Sequence, residues 1–130
     1  MDKIESTGIS YISPYYHLIW CPKHRRPVLI DGVDTRLKEL LTEKAAELDV
    51  KIESMEVMPD HVHLFLKSNP IIPVHHIVSQ FKGYSSRVLR DEFPWLRSRL
   101  PSLWTHSYYC ESIGHISDKD NQGSYKSIDR

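Results

Sequence analysis

Apolar and polar positions change period several times along the chain, and those changes mark its elements. Residues 15–22 (YYHLIWCP) are aromatic and β-rich and stop at a proline, which reads as a strand. A basic loop framed by prolines, PKHRRPVLIDG, comes next. From 33 to 48 the apolar residues fall at Val33, Leu37, Leu40, Leu41, Ala45 and Leu48. That spacing is one buried stripe on a helix whose other faces are charged. VKIESMEVMP reads as a second strand, Pro59-Asp60 as a tight break, and HVHLFLKS as a third strand close enough to form a hairpin. A second helix is predicted over about 74–93 from Val74, Ile77, Val78, Phe81, Val88 and Leu89. Gly83 interrupts it and Pro94 ends it. Residues 103–114 (LWTHSYYCESIG) read as the fourth strand. The tail beyond has little periodicity and receives no element.

The order β-α-β-β-α-β predicts an α+β, ferredoxin-like split arrangement, with a four-stranded antiparallel sheet carrying both helices on one face. A length of 130 residues suits a single domain over 1–130, with tails at 1–14 and 118–130. Hydrophobic residues make up 40% and no apolar run approaches a membrane span, so a soluble protein without a membrane partner is expected. MDKIESTGIS lacks the regions of a secretory signal, which predicts a cytoplasmic, intracellular address. Cys21 and Cys110 then read as two reduced thiols.

Charge adds one feature to this picture. Lys+Arg and Asp+Glu balance at 17 each, so the chain is no wholesale polyanion binder. The bases cluster, however, at Lys23, Arg25 and Arg26 and again through Lys82, Arg87, Arg90, Arg97 and Arg99. Such patches could follow a phosphate backbone, and ordinary solvated faces would look the same.

The candidate chemistry lies in the third strand. Residues i and i+2 share a face, so His61, His63 and Phe65 point one way while Val62, Leu64 and Leu66 point into the core. Two imidazoles about 7 Å apart at their Cα atoms suit one divalent ion, although solvated histidines would also fit this spacing. His17, His24, His75 and His76 are read as surface or capping histidines.

EVMPDHVHLFL, followed by FKGYSSR and LWTHSYY and preceded by YHLIWCPKHRRPVL, resembles the single-tyrosine HUH transposases of the insertion-sequence 200/605 type. HUH denotes His-hydrophobe-His, here His61-Val62-His63. The resemblance implies the same ferredoxin-like fold and a metal-dependent DNA transposase acting on single strands at hairpin-marked element ends, working as a homodimer. It implies Mg²⁺ or Mn²⁺ on His61 and His63, and a tyrosine that forms a 5′-phosphotyrosine. Imidazole suits Mn²⁺ better than Mg²⁺, so a third, oxygen donor is expected. In the family a glutamine follows the tyrosine by four residues, one helical turn on. Here Tyr125 is the tyrosine beyond the fourth strand and Asp129 stands four residues later, which makes Tyr125 the nucleophile and Asp129 the third ligand. Asp60 is assigned to orienting the metal site from behind, or to a plain turn role.

Phosphate contacts are assigned to Lys23, Arg25, Arg26, Lys82, Arg87 and Arg90, and base stacking to Tyr84 and Trp104. Tyr108 and Tyr109 read as packing or DNA-facing residues. The tail DKDNQGSY, with Gly123 and Asn121, is a poor helix and departs from the family's amphipathic one. The alternative reading is therefore a relative that binds hairpin DNA without cleaving it. An RNA-binding module of the same fold would carry aromatics rather than histidines on the central strands of the open face.

Overall fold

The computed structural model describes residues 13–113, so Tyr125, Asp129, the predicted tail 118–130 and all of the predicted tail 1–14 except Ser13 and Pro14 lie outside the described residues. Its strands are β1 (Tyr15–Trp20), β2 (Lys51–Met58), β3 (His61–Lys67) and β4 (Tyr109–Ile113). Its helices are α1 (Val33–Leu48), α2 (Val74–Glu92) and α3 (Pro94–Arg99). The strands form one antiparallel sheet in the order β2-β3-β1-β4. This is the four-stranded α+β arrangement predicted, with β1 and β3 at the centre.

Strand alternation separates the two faces of the sheet. Leu18 and Trp20 from β1 and Val62, Leu64 and Leu66 from β3 are fully buried. They meet Val33, Leu37, Leu40 and Leu41 of α1 and Ile77, Val78, Phe81 and Leu89 of α2 in one core. Trp20 stacks on Phe81 with ring centroids 6.2 Å apart, and Trp104 stands edge-on to it at 5.8 Å. Packing of this kind, more than helix propensity, holds α1 and α2 against the sheet.

Two predictions are corrected and a third is extended. The fourth strand starts at Tyr109 rather than at residue 103, and Trp104 makes an isolated bridge to Pro22. The preceding segment is tied instead to the end of β1, through Lys23 N–H to the Leu103 carbonyl and Thr105 N–H to the Cys21 carbonyl. Gly83 does not interrupt α2, and a Cβ there would meet nothing within 4 Å. Pro94 ends α2 as expected but also opens α3, because a proline at the first helical position loses no hydrogen bond.

The β2–β3 hairpin turns on Pro59 and Asp60, between the paired residues Met58 and His61. Neither turn residue has a positive φ, and a bulge between Ile52 and Ser54 adjusts the register. The turn is pinned from outside, since Leu29 N–H donates to the Pro59 carbonyl at 3.0 Å. This contact places the basic loop beside the residues that begin β3.

Candidate active site

On the face of the sheet away from α1 and α2, β3 presents His61 and His63, each about one-third exposed (31% and 35%). They are two apart on a central strand, where neighbouring strands on both sides limit movement of the backbone. His61 Nδ1 lies 3.0 Å from Asp60 Oδ1, which leaves Nε2 as its second ring nitrogen. Asp60 is held in turn by Arg25, whose Nη2 donates to Oδ2 at 3.0 Å. The hydrogen bond to His61, followed by the charge of Arg25, keeps the Asp60 carboxyl below the usual carboxylate range.

Arg25 reaches Asp60 from a strained loop. His24 and Arg25 are consecutive non-glycine residues at φ 58° and 52°. That left-handed backbone costs of the order of 1 kcal/mol per residue and is kept only where its surroundings over-determine it. Here Arg25 N–H bonds the Pro22 carbonyl at 2.8 Å and Arg26 N–H bonds the Lys23 carbonyl at 3.2 Å. The basic cluster predicted from sequence is thereby joined to the histidines, with Arg25 and Arg26 exposed.

His17, read from sequence as a surface or capping histidine, belongs to the same face. Its Nδ1 lies 3.2 Å from His63 Nε2. Burial first, and then the neighbouring His63, hold its imidazole below the ordinary histidine value. The strand register puts His17 opposite Phe65 on one side and Glu111 on the other, and Ile19 between His63 and Tyr109. Tyr15 and Phe65 also stand on this face, so the central strands carry aromatics as well as histidines. The rings of Tyr15 and Phe65 stack at 5.6 Å, and those of Phe65 and His17 at 4.7 Å. Alternation in β1 could have signalled the face of His17, but its partner follows only from the pairing of β1 with β3.

The predicted DNA residues of α2 are placed elsewhere. α2 covers the opposite face of the sheet, so Lys82, Tyr84, Arg87 and Arg90 do not join the histidines. Lys82 is committed to the loop before β4: its Nζ donates to the carbonyls of Thr105 (2.6 Å), His106 (3.3 Å) and Ser107 (3.2 Å). Arg90 donates to the Leu100 carbonyl at 2.8 Å. The Tyr84 hydroxyl donates to Glu43, with Lys44 and Arg87 over its ring. Trp104, assigned to base stacking, is 6% exposed and donates Nε1–H to Ser85 Oγ, so its ring faces are spent on the core.

Lys82→Met is expected to destabilise the fold by about 1–2 kcal/mol in urea denaturation, because three carbonyls lose a charged donor. A phosphate-contact role alone would instead leave the denaturation midpoint unchanged and weaken DNA binding.

The donor set meets part of what a divalent cation requires. Two neighbouring imidazoles, one of them backed by a carboxylate, have the character of a metal-ligand pair with an orienting partner. Among the described residues, no group of three or more His, Cys, Asp or Glu side chains lies close enough to hold an ion. The described part of the site therefore fits two ligands of a larger set.

Known proteins resemble this chain in sequence and in fold. The family model described as "Transposase IS200 like" matches residues 10–125. The ISDra2 transposase TnpA of Deinococcus radiodurans is 42% identical over 95 residues, covering 72% of this chain and 68% of that protein. The transposase for insertion sequence element IS200 of Salmonella typhimurium is 25% identical over 126 residues, covering 87% and 83%. Among solved structures, a candidate transposase from Deinococcus radiodurans R1 superposes with a TM-score of 0.73 at 33% identity, over 98% of this chain and 95% of that one. A REP-associated tyrosine transposase bound to a REP hairpin shares the fold, with a TM-score of 0.63 at 13% identity over 92% and 67%. The match over nearly the whole sequence, the 42% identity and the shared fold lead to one conclusion: this chain belongs to the IS200-like transposase family.

Proposed function

We propose that the chain cleaves and rejoins single-stranded DNA at hairpin-marked element ends through a 5′-phosphotyrosine on Tyr125. The observation that carries this reading is the pair His61 and His63 on one partly exposed strand face, with Asp60 behind His61 and the basic loop alongside. His61, His63 and Asp129 would hold Mg²⁺ or Mn²⁺, with Asp129 as the oxygen donor that a hard cation needs. The bound cation would supply charge stabilisation at the scissile phosphate.

The protein groups do the remaining work. The phenolic oxygen of Tyr125 attacks phosphorus, the bond from phosphorus to the 3′ oxygen breaks, and that oxygen leaves as a hydroxyl. The tyrosyl ester stores the exchanged bond, so the later attack by a 3′-hydroxyl needs no nucleotide cofactor. Arg26 and Lys23 lie in the loop beside the histidines and supply phosphate contacts there. Arg87, on the opposite face, would meet a more distant part of the DNA. Asp60 keeps His61 oriented.

A homodimer joined through an edge strand fits the sheet order, in which β2 and β4 are the edges. No helix among the described residues is long and apolar enough to cross a membrane, and a cytoplasmic site of action is proposed with the transposase reading. One domain spanning 1–130 is likewise proposed.

The test is a labelled single-stranded hairpin from the end of the encoding element, incubated with the protein and Mn²⁺ and resolved on a denaturing protein gel. A covalent adduct is expected, and Tyr125→Phe is expected to remove it entirely while hairpin binding persists. A gel shift with no adduct from the unaltered chain would instead establish a hairpin-binding relative that has lost the chemistry.

A further inference from the structure

We propose that His17 is a positioning residue of this site: it fixes the ring of His63, and so the direction of both its nitrogens, before a cation arrives. The inference rests on the reading of His61 and His63 as metal ligands. It is carried by two kinds of contact that converge on one imidazole.

The first contact is polar. His17 Nδ1 and His63 Nε2 are 3.2 Å apart, within hydrogen-bond range, with one ring donating and the other accepting. At the other nitrogen of His63, Glu56 Oε1 stands 3.9 Å away on a side chain that is 72% exposed. That distance is too long for a hydrogen bond, and such an exposed carboxylate is a weak tether. His17 therefore offers the firmer hold.

The second contact is stacking, and it makes the hold rigid. Tyr15, Phe65 and His17 stand as successive plates across β1 and β3, at 5.6 Å and 23° and then at 4.7 Å and 27°. His63 follows, tilted by 40° at 5.3 Å from His17. A ring held between neighbours cannot turn about χ2 without giving up those contacts. The stack thus fixes the His17 plane, the plane aims Nδ1, and Nδ1 fixes His63. Each imidazole of the pair then has its own holder, with Asp60 serving His61 and His17 serving His63.

An ordinary packing role would need only the ring, whereas a positioning role also needs the nitrogen. His17→Phe keeps a ring to stack on Phe65 and deletes Nδ1. His17→Asn gives up the ring but places an amide near the position of Nδ1. Both are measured in the full-length, DNA-free protein by Mn²⁺ titration, alongside ¹⁵N spectra of the imidazoles and thermal denaturation.

Partners that orient a ligand typically contribute 10–100-fold in metal affinity. His17→Phe is therefore expected to bind Mn²⁺ roughly tenfold more weakly, with a shifted His63 ring signal and an unchanged Tm. His17→Asn is expected to recover affinity to within about threefold of the unaltered chain. Unchanged affinity in His17→Phe, with binding lost in His63→Ala, would overturn the role of His17 and leave the metal reading standing. Equal losses in both His17 variants with a lowered Tm would also overturn it, in favour of packing. Unchanged Mn²⁺ affinity in His63→Ala would sink the metal reading itself, and the present inference with it.

Discussion

His61→Ala is expected to lower the rate of covalent adduct formation on a single-stranded hairpin by roughly 10²- to 10⁴-fold. The size follows from the several kcal/mol of charge stabilisation that a bound cation supplies at phosphorus, at 1.36 kcal/mol per tenfold in rate. The substitution removes an imidazole whose Nδ1 is bonded to Asp60, so it also leaves that carboxylate with Arg25 alone among its two described polar partners. The remaining pair is exposed, which keeps the structural cost small: 65% of the Arg25 side chain and 38% of Asp60 are accessible. Stability is therefore expected to change by less than about 1 kcal/mol. Rate measured as adduct per minute, beside hairpin affinity and urea denaturation, separates these effects. A variant that retains its rate would show that His61 holds no catalytic ion.

One turn of the pleat away, Leu64→Ala is expected to behave in the opposite way. Leu64 lies on the same strand as His61 and His63 but is fully buried on the other face, opposite Leu18 of β1 and Met55 of β2. Truncating a buried leucine loses its transfer free energy and leaves a cavity that a close-packed core fills only in part, at a cost of about 2–5 kcal/mol. Domains of this kind are stable by only about 5–15 kcal/mol, so the midpoint in urea should fall sharply. Metal and hairpin affinity of the fraction still folded should stay near the unaltered values. A loss below about 1 kcal/mol would contradict the placement of Leu64 at the centre of the core. The contrast between His61 and Leu64 tests directly whether β3 divides chemistry from stability by its two faces.

Much of this division is legible in the order of residues alone. In β3 the alternation of Val62, Leu64 and Leu66 with His61, His63 and Phe65 is local, because the pleat turns every second side chain to one face regardless of partners. The helix stripe from Val33 to Leu41 is equally local. The boundary at Tyr109 is not, because residues 103–108 contain aromatics that suit a strand. They are held instead by Lys82, Ser85 and the end of β1, contacts from distant parts of the sequence. Trp104 shows the same limit: its chemistry allows either a stacking platform or a core residue, and only its bond to Ser85 and its burial decide.

The sequence alone determined the order of the four strands and two long helices, the inward faces of β3, α1 and α2, and the sharing of one face by His61 and His63, since these depend on spacing within one strand or helix. Tertiary structure alone decided which distant side chains meet those histidines. It brought Arg25 onto Asp60 through a left-handed loop, and it set His17 against His63 by laying β1 beside β3. It also carried Lys82, Arg87 and Arg90 to the other side of the sheet. The physical reason is that a pleat or a helical turn is encoded in neighbouring residues, whereas contacts across strands depend on a register that the cooperative packing of the whole core selects.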